Sequence, residues 1–187
     1  MNIEKYKDII QPLMGEKRYI HSVNVSKEAV RLAKKYGADT DKAALAGILH
    51  DITKEFDVQK QLQIFDSGDI ILTDVEKSTT KLWHAISGSV YIQTELGIDD
   101  TDIINAIRYH TTGRAGMSLL EKIIFLADFT SEERDYPDVD IIRQKAEISL
   151  DEGILYGVQF TLSVLLSRCG CISEDALGVY NEIILNR

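Results

Sequence analysis

The sequence predicts an all-α protein, a helical bundle of eight or more short helices, and three observations carry that expectation. Apolar residues recur three and four positions apart nearly everywhere, with no sustained alternation of the kind a half-buried strand needs. Only two prolines interrupt the chain. Two segments, Thr73-Asp-Val-Glu76 and Ser118-Leu-Leu-Glu121, fit the capping box, in which a hydroxyl and a carboxylate each accept a bond from an otherwise unpaired helix N–H.

Along the chain, a first helical stripe groups His21 with Val25, Ala29 and Leu32. It stops where Gly37 follows Tyr36, because glycine enters the left-handed conformation without a Cβ clash. The next helix sets Ala43, Ala46 and Gly47 ahead of His50, and such small residues let another helix approach closely. A helix starting after Thr73 is followed by His84 and the small series Ala85, Ser87, Gly88 and Ser89, with Gly97 after Leu96 as a second stop. Ile103, Ala106 and Ile107 lead to His110. The helix starting after Ser118 carries the run Ile123-Ile-Phe-Leu-Ala127 and ends it at Asp128, on the face of Leu120 and Ile124.

A length of 187 residues suits one domain, over 1–187, with room for a sizeable core. With 44% hydrophobic and 27% charged residues and no linker or low-complexity segment, the composition is that of a soluble protein. A formal net charge of -9 disfavours a wide basic face for nucleic acid or an anionic membrane. An anionic ligand must then be met by local positive charge. The start, Met1 to Ile10, has no apolar core of signal-peptide length. Phe160 to Ile172 is broken by Ser163, Ser167 and Arg168 and is too short to span a bilayer, so the expected location is the cytoplasm. Cys169 and Cys171 have no second pair with which to hold zinc, and are expected as reduced thiols in or near the core.

The chain has four histidines, His21, His50, His84 and His110, and each falls on an inward, apolar or small-residue side. Singly, an inward histidine reads as a core residue bonded to a carbonyl, and Asp128 as a cap for the turn at Thr130 to Glu133. Together they read otherwise. Burying Asp51 and Asp128 ionised costs several kcal/mol without a cation, and no Lys or Arg shares the apolar runs leading into them. A pair of metal ions satisfies all six residues at once. Imidazoles and carboxylates without thiolate suit iron, or manganese, and six ligands exceed the four of a closed structural zinc site. Adjacent His50 and Asp51 project about 100° apart on a helix, which permits Asp51 to bridge.

Longer strings extend this pattern: Lys17-Arg-Tyr-Ile-His-Ser22, Ala46-Gly-Ile-Leu-His-Asp51 with Lys54, His110-Thr-Thr-Gly113 and Ile123-Ile-Phe-Leu-Ala-Asp128. They resemble the HD-domain metal-dependent phosphohydrolases, and within them the YqeK-type branch, over nearly the whole chain from about Tyr6. The resemblance implies an all-helical HD fold, a binuclear iron-type centre and symmetrical cleavage of diadenosine tetraphosphate into two ADP. It makes His21, His50, Asp51 and Asp128 ligands of one ion and His84 and His110 ligands of the second, with Asp51 bridging. It also suggests a homodimer. One region departs from the family pattern, which often has Glu-Pro before its arginine where this chain has Ser131-Glu-Glu133 before Arg134.

On this reading a water bridging two cations loses its proton near neutral pH and attacks phosphorus in line, while the same ions neutralise phosphate charge. Asp51 and Lys54 are the candidate catalytic residues; if the helix continues past His50, the Lys54 ammonium reaches the site and binds phosphate. Thr111, Thr112, Arg114 and Arg134 are the further candidate contacts to the polyphosphate, against plain turn chemistry around Gly113 for the threonines. Arg18 and Arg108 read as ion-pair partners instead. Two alternatives compete: another HD phosphohydrolase acting on a nucleoside monophosphate, a deoxynucleoside triphosphate or an alarmone, and a nucleotide-binding sensor without turnover.

Overall fold

Capping and apolar periodicity start and stop the helices where the sequence signals them. The computed structural model describes residues 2–187, so Met1 of the expected domain lies outside the described residues. Eleven α-helices follow in order: α1 (Ile3–Ile10), α2 (Glu16–Tyr36), α3 (Thr40–Leu49), α4 (Val58–Ser67), α5 (Asp74–Ser78), α6 (Trp83–Thr94), α7 (Thr101–Arg108), α8 (Leu119–Thr130), α9 (Val139–Ile148), α10 (Leu150–Ser167) and α11 (Glu174–Leu185). Single 3-10 turns follow α1 and precede α6, and no strand occurs among the described residues.

Both capping boxes form: Thr73 with Glu76 opens α5, and Ser118 with Glu121 opens α8. Gly37 ends α2 at φ +76°, where the Ala38 N–H reaches back to the Ala33 carbonyl at 2.9 Å. Gly97, at φ +66°, lies just beyond α6 and lets the Ile98 N–H close on Ile92 O at 3.0 Å.

The core sits around α3 and α8. Helix α2 packs against both, α7 closes the other side of the pair, and α10 lies over α8 with α9 and α11 against it. One continuous set of buried side chains runs from Ile10 through Leu49, Ile107 and Phe125 to Ile183. A smaller cluster of Phe65, Trp83 and Ile86 anchors α4 to α6. The closest approach is at Gly47, where an added Cβ would lie 2.7 Å from the Ser26 Cα on α2. Beside it the Ser26 hydroxyl donates to Ala44 O at 2.8 Å, satisfying a polar group at the dry contact.

Two expectations change at this level. Helix α3 ends at Leu49, and His50 to Glu55 continue as successive tight turns, with Lys54 N–H on Asp51 O at 2.9 Å, rather than as helix. Likewise α7 ends at Arg108 and His110 sits in the following turn. Both cysteines are exposed, not core or near-core, because the segment after α10 runs over the surface. No helix is long and apolar enough to cross a membrane among the described residues.

Candidate metal centre

Five separate segments bring the six inward residues together. His21 comes from the buried face of α2, His50 and Asp51 from the end of α3, His84 from the start of α6, His110 from the turn after α7 and Asp128 from the last turns of α8. All four histidines and Asp51 are buried. The His21 and His50 Nε2 atoms face each other at 3.1 Å, with Asp128 Oδ1 3.1 Å from His21 and Asp51 Oδ2 3.4 Å from His50. On the other side His84 and His110 repeat the arrangement, Nε2 to Nε2 at 3.1 Å, with Asp51 Oδ1 3.2 and 3.6 Å from them. The two oxygens of Asp51 are thus divided between two imidazole pairs.

The hydrogen-bond partners assign the tautomers. His50 Nδ1 lies 2.8 Å from Gly47 O and His110 Nδ1 2.7 Å from Ile107 O, and a carbonyl only accepts, so both Nδ1 atoms carry the proton. His21 Nδ1 lies 2.5 Å from the Glu133 carboxylate, with the same result. The Nε2 atoms of these three rings therefore face one another and carboxylate oxygens, an arrangement that favours a cation between them. Asp51 Oδ1, buried and without a hydrogen bond, points to the same conclusion, because an ionised oxygen is not left so without cost. The donor set accordingly fits divalent metal ions, and three overlapping groups of ligand atoms each close to within 4.8 Å: His21 with His50 and Asp51, His50 with His110 and Asp128, and Asp51 with His84 and His110.

Electrostatics agree with this arrangement. Burial pushes the Asp51 carboxyl up, but His50, His110 and His84 around it more than offset that and hold it well below the usual carboxylate range. Asp128 behaves alike, burial being outweighed by His21 and the Arg134 guanidinium. Burial, and then the neighbouring His110, keep His84 well below the ordinary imidazole value, neutral as a metal ligand must be. Burial also lowers Lys54, against the pull of Asp51.

Of the expected substrate contacts, Lys54 and Thr111 lie at the cluster. The Lys54 Nζ is 3.0 Å from His84 Nε2, and the Thr111 hydroxyl 3.1 Å from His110 Nε2. Arg134 is there too, its Nε on Asp128 O at 2.8 Å and an Nη on Asp128 Oδ1. Thr112 closes on Gly113 O, as turn chemistry alone would have it, yet with Thr111 it borders a mainly apolar cavity of about 240 Å³ that also touches Phe125, Leu162 and Leu165. A smaller cavity of about 150 Å³ opens on the opposite side, between Asp128, Arg134, Phe129, Tyr136 and Phe160.

Arg114 differs. Its guanidinium forks onto the buried Glu121 carboxylate, both bonds 2.7 Å, and lies over the Tyr109 ring, committed to the entrance of α8 rather than to the cluster. Arg114→Ala is expected to lower stability by about 1–2 kcal/mol, a buried-pair loss discounted for its partly exposed arginine, or some 3–6 °C in Tm, with KM unchanged. A thermal melt beside steady-state kinetics checks this, and a raised KM at unchanged Tm would restore Arg114 as a substrate contact.

Arg18 and Arg108 are ion-pair partners, as expected, Arg108 with Glu76 at 2.6 Å and Arg18 with Asp51, so a basic side chain from outside the apolar runs does reach the aspartates. Arg18, from the first turn of α2, places Nη1 2.6 Å from Asp51 Oδ2, and Arg134 arrives from the loop after α8. Each reaches only one oxygen of its partner carboxylate, and the Lys54 Nζ stands 3.9 Å from Asp51 Oδ1, too far for a hydrogen bond. Arg18 and Asn24 stand three residues either side of His21, a helical spacing that signals a shared face. Glu133, 112 residues from His21, has no such signal.

The HD domain family matches residues 18–132. A symmetrical bis(5'-nucleosyl)-tetraphosphatase of Halalkalibacterium halodurans is 39% identical over 187 residues, 100% of both chains, and one of Bacillus subtilis 35% identical over 184, 98% of both. The crystal structure of an HD superfamily hydrolase from Clostridium acetobutylicum, described as involved in NAD metabolism, superposes with a TM-score of 0.96 at 35% identity, covering 100% of this chain and 99% of that one.

Proposed function

Because the chain belongs to the HD-domain family, and within it to the symmetrical bis(5'-nucleosyl)-tetraphosphatases, we propose that it hydrolyses diadenosine tetraphosphate into two ADP at a centre of two divalent cations. The observation that carries this reading is the division of the Asp51 oxygens between two imidazole pairs, one of those oxygens lacking any hydrogen bond.

His21, His50, Asp51 and Asp128 would hold one cation and His84, His110 and Asp51 the other; four imidazoles and two carboxylates without thiolate suit iron, with manganese as the alternative. Such a pair, when bound, makes water acidic enough to be a nucleophile near neutral pH and neutralises charge on phosphate oxygens. The protein's own groups do the rest. Asp51 couples the two halves of the site, and Arg18 holds its Oδ2 in orientation. Lys54, above the His84 side, supplies a mobile ammonium for a phosphate oxygen, and the Thr111 hydroxyl offers a hydrogen bond beside it. The apolar cavity at Thr111 and the aromatic one at Arg134 flank the cluster and give room for apolar parts of a dinucleotide on either side.

The test is chromatographic analysis of diadenosine tetraphosphate after incubation with protein loaded anaerobically with iron. ADP as the product is expected. ATP with AMP would overturn the assigned scissile bond, and no turnover by metal-replete protein would overturn the reading as a whole.

A further inference from the structure

The loop that links α8 to α9 grips both protein ligands that face the same imidazole side. Within it, Glu133 Oε1 accepts from His21 Nδ1 at 2.5 Å and from the Ser131 hydroxyl at 2.8 Å, while Oε2 accepts from Asn24 Nδ2 at 2.9 Å. Every oxygen of this carboxylate is therefore directed, and His21 is its central partner. The next residue, Arg134, holds Asp128 through both side chain and carbonyl. Arg143 from α9 fixes the loop from behind, donating to Thr130 O at 3.1 Å, to Ser131 O at 2.8 Å and to Arg134 O at 3.1 Å. The polar partners of the His84 and His110 rings, apart from each other, are Asp51, Lys54, Thr111 and Ile107, none of them in this loop. The two histidines sit on the other half of the cluster, where His110 takes its orientation from a backbone carbonyl instead.

This asymmetry has a chemical consequence. An imidazole whose far nitrogen donates to a carboxylate is locked in one tautomer and made a stronger base at its ligating nitrogen than one donating to a carbonyl. We propose that Glu133 is a positioning residue that fixes the tautomer and ring direction of His21 and so strengthens one of the two cation positions, leaving the His84–His110 position to its own partners. The proposal rests on the metal-centre reading above.

The experiment is a manganese titration of chelator-stripped protein by calorimetry, with electron paramagnetic resonance to separate a single bound ion from a coupled pair. Wild type, Glu133→Gln and Glu133→Ala are compared, and thermal melts of the stripped proteins report folding. Wild type is expected to take up both ions. Glu133→Ala is expected to lose about 10–100-fold in affinity for one ion only, so that the single-ion signal persists over a wide range of manganese, as loss of a partner behind a ligand does. Glu133→Gln, whose amide oxygen still accepts from Nδ1–H, should recover part of that loss and settles the matter if the alanine variant fails to fold. Two unchanged binding steps in both variants would overturn the proposal, as would equal weakening of both ions together with a lowered melt, the signature of a merely structural residue. Wild type that binds no manganese would overturn the metal centre itself, and this inference with it.

Discussion

Asp51→Asn is expected to lower hydrolysis of diadenosine tetraphosphate by about 1,000-fold, equivalent to about 4 kcal/mol of transition-state stabilisation, and to lower metal uptake with it. Both halves follow from one piece of geometry. In wild type the two carboxylate oxygens face two imidazole pairs, and Oδ1 has no hydrogen bond. A carboxamide offers one oxygen to Arg18 and turns two N–H donors toward the His84 and His110 lone pairs. Convergent acceptors thereby become a satisfied network. The same N–H groups are aimed where a cation must go, so metal uptake falls with activity. Product analysis and metal content check the two consequences. Activity within tenfold of wild type at undiminished metal content would remove Asp51 from the role of bridging ligand.

The largest expected loss of stability from a single change comes at Gly47, whose carbonyl also accepts from His50 Nδ1. Its added Cβ would meet backbone on α2, at 2.7 Å from Ser26 Cα, 3.1 Å from Ser26 N and 3.2 Å from Val25 O, and backbone cannot swing aside as a side-chain tip does. Gly47→Val is expected to cost about 3 kcal/mol, roughly 6–12 °C in Tm for a chain of this size. The effect reaches the site as well. Separating α2 from α3 separates His21 from His50, whose Nε2 atoms lie 3.1 Å apart, so metal affinity should fall with stability. Gly88→Ala is the control, because there the added carbon meets Ile107 Cγ2 at 3.4 Å and Thr53 Oγ1 at 3.5 Å, ordinary contact distances. A Gly47→Val protein that melts like wild type would mean that the two helices do not pack through this residue.

Much of the site was legible because its ligands lie on or beside helices, where spacing reports direction. His21 with Val25, Ala29 and Leu32, and Asp128 with Leu120 and Ile124, follow a 3.6-residue period that side chains obey wherever the helix sits. His110 and Lys54 were placed at the site on the assumption of helix. Each arrives there through turns instead, Lys54 in the successive turns after α3 and His110 in the turn after α7. Arg114, four residues after His110, lies away from the cluster for the opposite reason: its fork finds Glu121, a carboxylate buried by the capping box and available only once α8 docks.

What the sequence by itself determined is the helical class, the ends of α2, α5 and α8, and the inward placement of four histidines and two aspartates, all consequences of local periodicity and of caps that operate within one turn. Tertiary structure alone decided that Arg18 pairs with Asp51, that Glu133 orders His21 from 112 residues away, and that the cysteines lie at the surface. Those contacts join segments whose relative position is set by packing of α2, α3 and α8, and a periodic pattern says which way a side chain points from its own helix but not which loop will be waiting there.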